Sequence, residues 1–345
     1  MLDEAVKKIL ESIDESSVLT ETYPKFSGEG YRAHRIDIKN FHEIKKINSG
    51  KRIAFVDGGN AEIISSANFS LSLIRVCCLV YQNKKKIAAR KFETLAFTQA
   101  AGRNGEIHYD TSFFNDKNNL ELGEISFSSF DHTLMTGISR AEISGIPNAI
   151  RRFAELKMAK LAADNHLSDI IILDGSLQST LTNENKYLDG LYELCIKNNA
   201  ALGALSKTNS MFTENGNLLS AVLMSISKLD SWFYHPIADI ISSRHRAEMF
   251  FAKFHDKSRH AFRFEVFNAQ KIIAEEIISS LALNCTDPVF IGYPYGAIEA
   301  DRTARVSNQE KDSLKTMLLV KLRSRNIEKY LNSSNAHEIL DRISF

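Results

Sequence analysis

The run Asp169-Ile170-Ile171-Ile172-Leu173 constrains this chain more than any other stretch. Three β-branched residues followed by a leucine favour a strand over a helix. A strand with no polar side has to be covered on both faces, which implies a parallel strand inside an α/β sheet. The flanking segments fit. Pro147 stands where a helix tolerates proline, in its first turn. Ile150, Phe153, Ala154 and Leu161 then make one buried helical face up to about Asn165. After the strand a second helix is predicted over 184–198 and a further strand over 200–205.

The remainder supplies a frame for these units. Residues 1–17 read as a helix, with Ala5, Ile9, Leu10 and Ile13 on one face. Residues 52–56 read as a short buried strand ending in Asp57-Gly58-Gly59-Asn60, followed by strands over 70–81 and 87–97 joined by a turn at 83–86. Three such strands suggest an antiparallel meander. Downstream come a pair of strands within 245–267, a helix over 269–283, a strand over 288–293 and a closing helix over 308–322. A meander followed by βαβ units is the order of an RNase H-like fold. The expected architecture is therefore α/β: an RNase H-like mixed sheet with helical N- and C-terminal additions. No repeat, low-complexity segment or Pro/Gly-rich linker interrupts it, and five prolines and sixteen glycines are few for 345 residues. One domain over 1–345 is expected, with an N-terminal helical segment at about 1–45.

Several classes of protein are excluded. The longest mostly apolar stretch, Phe69 to Tyr81, contains Arg75 and is too short to span a bilayer as a helix. The first fifteen residues are acidic and amphipathic, unlike a secretory signal. Cys77, Cys78, Cys195 and Cys285 show no zinc spacing, and the adjacent pair would point to opposite faces of a strand. A reduced, cytoplasmic protein is the natural expectation. The net charge of +1 draws no polyanion by itself, so any nucleic-acid grip has to come from local patches. Two candidates stand out. Lys84, Lys85, Lys86, Arg90 and Lys91 cluster at the hairpin, and the segment from Arg244 to Arg263 holds six Lys/Arg against two acids, interleaved with His245, His255 and His260. Either can equally be a solvated charged face.

Two buried-looking strands each end in an aspartate followed by glycine, at Asp57 and at Asp174. Such a position is where α/β sheets present ligands, and the glycine leaves room for an ion or phosphate. One Asp-Gly is ordinary turn chemistry, whereas two on neighbouring strands suggest a site. Glu155 lies on the intervening helix, at a spacing that returns it to the end of the sheet where Asp174 lies. It can instead simply pair with Arg151 at i, i+4, and Glu142 is a competing carboxylate. Lys207 follows the next strand and can steer a phosphate or face solvent. Near the end, Gly292-Tyr293-Pro294-Tyr295-Gly296 leads into Glu299 and Asp301.

Taken in order, VDGG at 56–59, the Arg-rich helix with Glu155, ILDGSL at 172–177, LSKT at 205–208 and GYPYGAIEAD at 292–301 resemble the NurA nucleases. The resemblance covers about 50–325, the expected core, and rests on the order and spacing of short motifs. It implies an RNase H-like homodimer that degrades DNA with manganese beside HerA, a hexameric ATP-driven translocase. It also implies that Asp57, Glu155 and Asp174 are metal carboxylates and that Tyr293 is the active-site tyrosine. One departure stands out: eight residues after that tyrosine the family pattern has a histidine, and this chain has Asp301. A carboxylate still binds Mn²⁺ or Mg²⁺, but it cannot donate a proton near neutral pH without a raised pKa.

These residues predict a metal-dependent DNA nuclease, exonuclease and/or single-strand endonuclease, acting on single-stranded DNA and duplex ends in repair or anti-phage defence. Two ions about 4 Å apart stabilise charge on the attacking and leaving oxygens. Asp57 would bridge them, Glu155 and Asp174 would hold one each, and Asp301 would complete the set. Tyr293 would stack on a base or bond a phosphate, or else belong to the core. Two alternatives remain. One is an ATP-dependent kinase of the actin/hexokinase-like superfold, which requires a later Gly-Gly loop that the second half of the chain lacks. The other is an inactive DNA-binding scaffold.

Overall fold

A computed structural model describes residues 1–12, 22–115, 120–208, 210–269 and 274–322. The chain opens with α1 (Leu2–Ser12) and three short strands, β1 (Pro24–Lys25), β2 (Tyr31–Ala33) and β3 (Phe41–Glu43). Long strands follow: β4 (Ile53–Ser66), β5 (Phe69–Gln82), β6 (Lys85–Arg103) and β7 (Glu106–Asn115), then the shorter β8 (Ile125–Ser128). Next come α2 (Ile146–Asp164), β9 (Ile170–Asp174), α3 (Glu184–Lys197) and β10 (Ala201–Ser206). The last part holds β11 (Phe212–Thr213), α4 (Leu219–Ile226), β12 (Trp232–Tyr234), β13 (Ala238–Ile240), β14 (Ala247–Lys253) and β15 (Phe262–Phe267). It closes with α5 (Ala274–Leu283), α6 (Tyr295–Ala304) and α7 (Asn308–Leu322). No helix among the described residues is long and apolar enough to cross a membrane.

The chain divides into two compact units. The first comprises Met1–Gly50, Asp174–Gln178 and Ala201–Tyr295; the second comprises Lys51–Leu173, Ser179–Ala200 and the chain from Gly296 onward. In the second unit the strands run in the order β9-β4-β5-β6-β7-β8. From β4 to β8 this is an antiparallel meander. Its first three hairpins turn on two residues each. Two of these turns, Asn83-Lys84 and Asn104-Gly105, have both residues at positive φ, the mirror-image geometry that matches the twist of the flanking strands. The crossover through α2 then brings β9 parallel to β4, with Ile53 opposite Ile170 and Val56 opposite Leu173. The helix buries Ile150, Phe153, Ala154 and Leu156, while Leu188, Leu191 and Tyr192 of α3 add to the same core. An antiparallel meander, a covering helix and a returning parallel strand make this unit RNase H-like.

In the first unit the strands run β3-β12-β14-β15-β10, each antiparallel to the next. Trp232, Tyr234, Met249 and Phe251 pack with Leu219 and Leu223 of α4. Two short ribbons, β1 with β11 and β2 with β13, complete it.

Several boundaries depart from expectation. The strand expected to stop at Asp57 continues to Ser66, because β5 stays paired with it almost to the hairpin tip. The meander has five strands rather than three, with β7 and β8 added to those expected. No strand forms over 288–293. Pro288 lacks a donor, the Asp287 side chain accepts from the Val289 N–H at 2.8 Å, and the segment runs as turns with Gly292 at φ +94°. Of the helix expected over 1–17, residues 13–17, including Ile13, lie outside the described residues, as do 270–273 of the helix expected over 269–283.

Candidate metal centre

The parallel ladder between β4 and β9 ends at Val56 and Leu173, and Asp57 and Asp174 are the next residue on each strand. Beyond that point β4 keeps only β5 as a paired neighbour among the described residues. Regular pleating sends Phe55, Asp57 and Gly59 to one face and Val56 and Gly58 to the other. The two glycines of the motif admit different neighbours. A Cβ on Gly59 would run into the backbone carbonyl of Ala304, at the end of α6. One on Gly58 would lie 2.6 Å from Oε1 of Glu155 and 2.9 Å from Cγ of Arg151, both on α2. Gly59 thus lies against α6, and Glu155 reaches β4 from α2 at Gly58, the residue next to Asp57.

Both carboxylates are buried, at 4% exposure each. Asp57 Oδ1 accepts the Gly58 N–H at 2.7 Å. Glu155 stands 3.6 Å from Arg151 and 3.6 Å from Arg152. In the i, i+4 pair foreseen as a surface contact the Glu155 end is therefore buried, and Arg151 also donates to the Gly58 carbonyl at 3.1 Å. Arg152 is shared with Glu184, at 2.7 Å. Burial works against the Arg152 charge, but Glu155 and Glu184 outweigh it and raise the guanidinium pKa. Glu184 also accepts the Thr180 and Leu181 N–H groups, at 2.7 and 3.0 Å, ahead of α3. Glu142 is exposed and bonded to the Ser144 hydroxyl at 3.2 Å.

In the first unit the Asp174 carboxylate pairs with Lys207 at 3.0 Å, so Lys207 does not simply face solvent. Tyr293 does not end a strand; it lies in the turn before α6 and is buried, at 2% exposure. Phe290 stacks on the ring at 5.3 Å and Phe262 meets it edge-on at 5.0 Å. That ring is not open to a base. In the second unit Asp301 lies on α6 and pairs with Arg305 at 2.9 Å. Glu299 is engaged by Lys86 at 2.5 Å and by the Tyr81 hydroxyl, which together lower its pKa.

Among the described residues no three His, Cys, Asp or Glu side chains stand close enough to hold an ion. Glu155, Asp174 and Asp301 are each compensated by Arg or Lys instead, at 3.6, 3.0 and 2.9 Å. The donor set itself fits Mg²⁺ or Mn²⁺: hard carboxylate oxygens, with no thiolate or imidazole among them.

The basic segment from Arg244 to Arg263 does not form one surface. Arg244, Arg246, Lys257 and Arg259 are exposed, whereas His245 is buried and Arg263 pairs inward with Glu265. Glu265 went unnoticed in the sequence, although a carboxylate inside the apolar run Phe262-Arg263-Phe264-Glu265-Val266-Phe267 is the kind of anomaly that marks a buried polar group.

No curated protein matches the chain. The NurA nuclease from Sulfolobus solfataricus aligns over 94% of this chain and 94% of its own, at 14% identity and a TM-score of 0.51, a likeness of fold. Human ENDOV aligns over 74% of this chain and 82% of its own, at 11% identity and a TM-score of 0.38. Endonuclease V of Ciona intestinalis, solved with DNA containing an inosine followed by a ribo-adenosine, aligns over 80% and 92%, at 11% identity and 0.36. Overlays that loose add nothing about this chain. The NurA domain model matches residues 51–306, which takes in segments of both units and well over half of the sequence. With VDGG, the Glu155 helix and ILDGSL all inside the matched span, the chain belongs to the NurA nuclease family.

Proposed function

We propose that this protein is a divalent-metal-dependent deoxyribonuclease that hydrolyses phosphodiester bonds at DNA ends and in single strands. The observation that carries the reading is a pair of buried carboxylates where the β4–β9 ladder stops: Asp57 on the strand and Glu155 against the next residue, Gly58. Asp57, Glu155 and Asp174 would hold Mn²⁺ or Mg²⁺, two ions in all, with Asp301 as a fourth carboxylate. Bound ions would stabilise the charge on the attacking and leaving oxygens of the phosphodiester. The chain's own part is to fix the carboxylates and manage their charge. Arg151 and Arg152 offset Glu155, and Lys207 offsets Asp174; at 31% exposure, Lys207 is also accessible to a phosphate. The Tyr293 ring is anchored by Phe262 and Phe290, so its role falls to the hydroxyl group. Family membership supports the wider setting: a single nuclease domain, a cytoplasmic homodimer working beside a HerA-type hexameric translocase, in repair or phage defence. It also displaces the kinase reading.

The test is cleavage of end-labelled single- and double-stranded DNA in Mn²⁺, Mg²⁺ or EDTA. Cleavage is expected with either metal and absent in EDTA. Asp57→Ala and Asp174→Ala should each melt cooperatively yet lose at least ~100-fold in rate, the scale of charge stabilisation that a metal ligand supports. EDTA-resistant cleavage, or wild-type rates in both variants, overturns the metal assignment. A folded wild-type protein that binds DNA but cuts nothing is the inactive scaffold.

A further inference from the structure

The loop that carries Asp174 is tied down by a buried polar network with no part in the site described so far. Gly175 donates its N–H to the Leu205 carbonyl at 3.1 Å, and its own carbonyl accepts the Ser206 hydroxyl at 2.8 Å. Two residues on, the Leu177 N–H donates to Oε2 of Glu265 at 2.7 Å. Glu265 is 1% exposed on β15. It also receives the guanidinium of Arg263 and, at 3.0 Å, Nε2 of His245. His245 is itself 1% exposed, and its Nδ1 meets the Tyr31 hydroxyl at 2.9 Å. The imidazole thus links the Tyr31 hydroxyl to the Glu265 carboxylate through its two ring nitrogens. Every residue of this network lies in the first unit.

A buried ionised carboxylate is costly, and a loop N–H needs only a neutral acceptor. A backbone carbonyl or an Asn would satisfy Leu177 more cheaply. A charged acceptor held by three donors gives a shorter, stiffer bond and fixes the loop against β15. The rest of the loop is held by β10, so the segment from Asp174 to Leu177 is clamped from two strands. Burial alone would raise the Glu265 pKa; Arg263, His245 and the Leu177 N–H outweigh it and hold the group at about 2, so it stays charged throughout the working range.

We propose that Glu265, held by Arg263 and His245, is a positioning residue that fixes the Asp174 loop in its metal-binding geometry. It touches neither substrate nor metal and acts through the Leu177 N–H. The proposal rests on the reading of Asp174 as a metal ligand, and the experiment separates the two. Mn²⁺ binding without DNA is measured from the EPR signal of the free ion, with cleavage rates and thermal melts beside it, for wild type, Glu265→Gln, His245→Gln and Asp174→Asn. Glu265→Gln should stay folded and weaken Mn²⁺ binding at least about fivefold. Its cleavage rate at limiting Mn²⁺ should fall about tenfold or more, the range seen when the outer partners of a metal site are removed. Saturating Mn²⁺ should restore most of that rate, with KM for DNA unchanged. His245→Gln, which spares the Arg263 pair, should move the same way by less. A merely structural role lowers the melting temperature and leaves Mn²⁺ affinity alone; that result in both variants, or the loss of both folds, overturns the proposal. Wild-type Mn²⁺ binding by Asp174→Asn would instead sink the metal-ligand reading beneath it.

Discussion

Glu155 shows how far the setting of one carboxylate departs from what spacing suggests. Surface pairs at i, i+4 contribute a few tenths of a kcal/mol and tolerate replacement. This one is buried against the backbone of Gly58, flanked by two guanidinium groups. Removing its charge leaves Arg152 with Glu184 as a partner, so the fold should survive while the site loses an anionic ligand. Glu155→Gln is thus expected to cut metal-dependent cleavage by ~100-fold or more, whereas Glu142→Gln, an exposed group on a Ser144 hydroxyl, should stay within about twofold. Parallel assays of the two purified variants decide it, and the opposite ranking reverses the assignment. The sequence supplied both candidates and a reason to prefer one. It was silent on burial, which depends on a glycine nearly a hundred residues away. Lys207 and Asp174 were both singled out too, but their pairing depends on how the residues after β9 and β10 come together, and no local pattern encodes that.

At the level of elements, the glycines of the motif divide their labour between two helices. Gly59 lies against the backbone of Ala304, and backbone cannot swing aside. Its cross-strand partner, Arg75, strengthens the same corner: it is buried, pairs with Glu93 at 2.5 Å, donates to the Arg305 carbonyl at 2.8 Å and reaches Glu310 on α7. Gly59→Ala should therefore cost about 1–3 kcal/mol of overpacking, visible as a lowered melting temperature. At Gly58 a methyl group meets the flexible ends of Glu155 and Arg151, so Gly58→Ala should keep more of its stability and lose more of its cleavage rate. A Gly58→Ala protein that loses stability like Gly59→Ala but cleaves normally would contradict this division. Elements with a strong apolar period, such as α2, β9, α3 and the β14–β15 pair, were readable in advance with small errors at their ends. The failures have opposite causes. Asp-Gly-Gly looks like a turn, but pairing with β5 overrides that local preference and carries β4 past it. The apolar run near 288–293 looks like a strand, and there a proline and an aspartate capping its own loop win instead.

For the molecule as a whole, charge has to act locally. With a net charge of +1, steering by the global field is negligible, and any DNA has to be held by local basic side chains such as the exposed Arg244, Arg246, Lys257 and Arg259. Neutralising these four should weaken binding and flatten its salt dependence by about 0.7–0.9 log–log units for each phosphate left without its cation. Titrations at several salt concentrations measure it; an unchanged slope moves the DNA path elsewhere, with the exposed lysines of the β5–β6 hairpin as the next place to look. A last consequence follows from the cysteines. Burial lifts the thiols of Cys77, Cys78 and Cys195 to about 12 and raises Cys285 well above its usual value, while a thiolate is what reacts with alkylating reagents and oxidants. The native protein should consequently be indifferent to such reagents, and any reaction has to wait for a fluctuation that opens the core. Cys285 belongs to one unit and the other three to its neighbour. The chain thus carries its own clocks, one set for each unit, that tick only when that unit breathes.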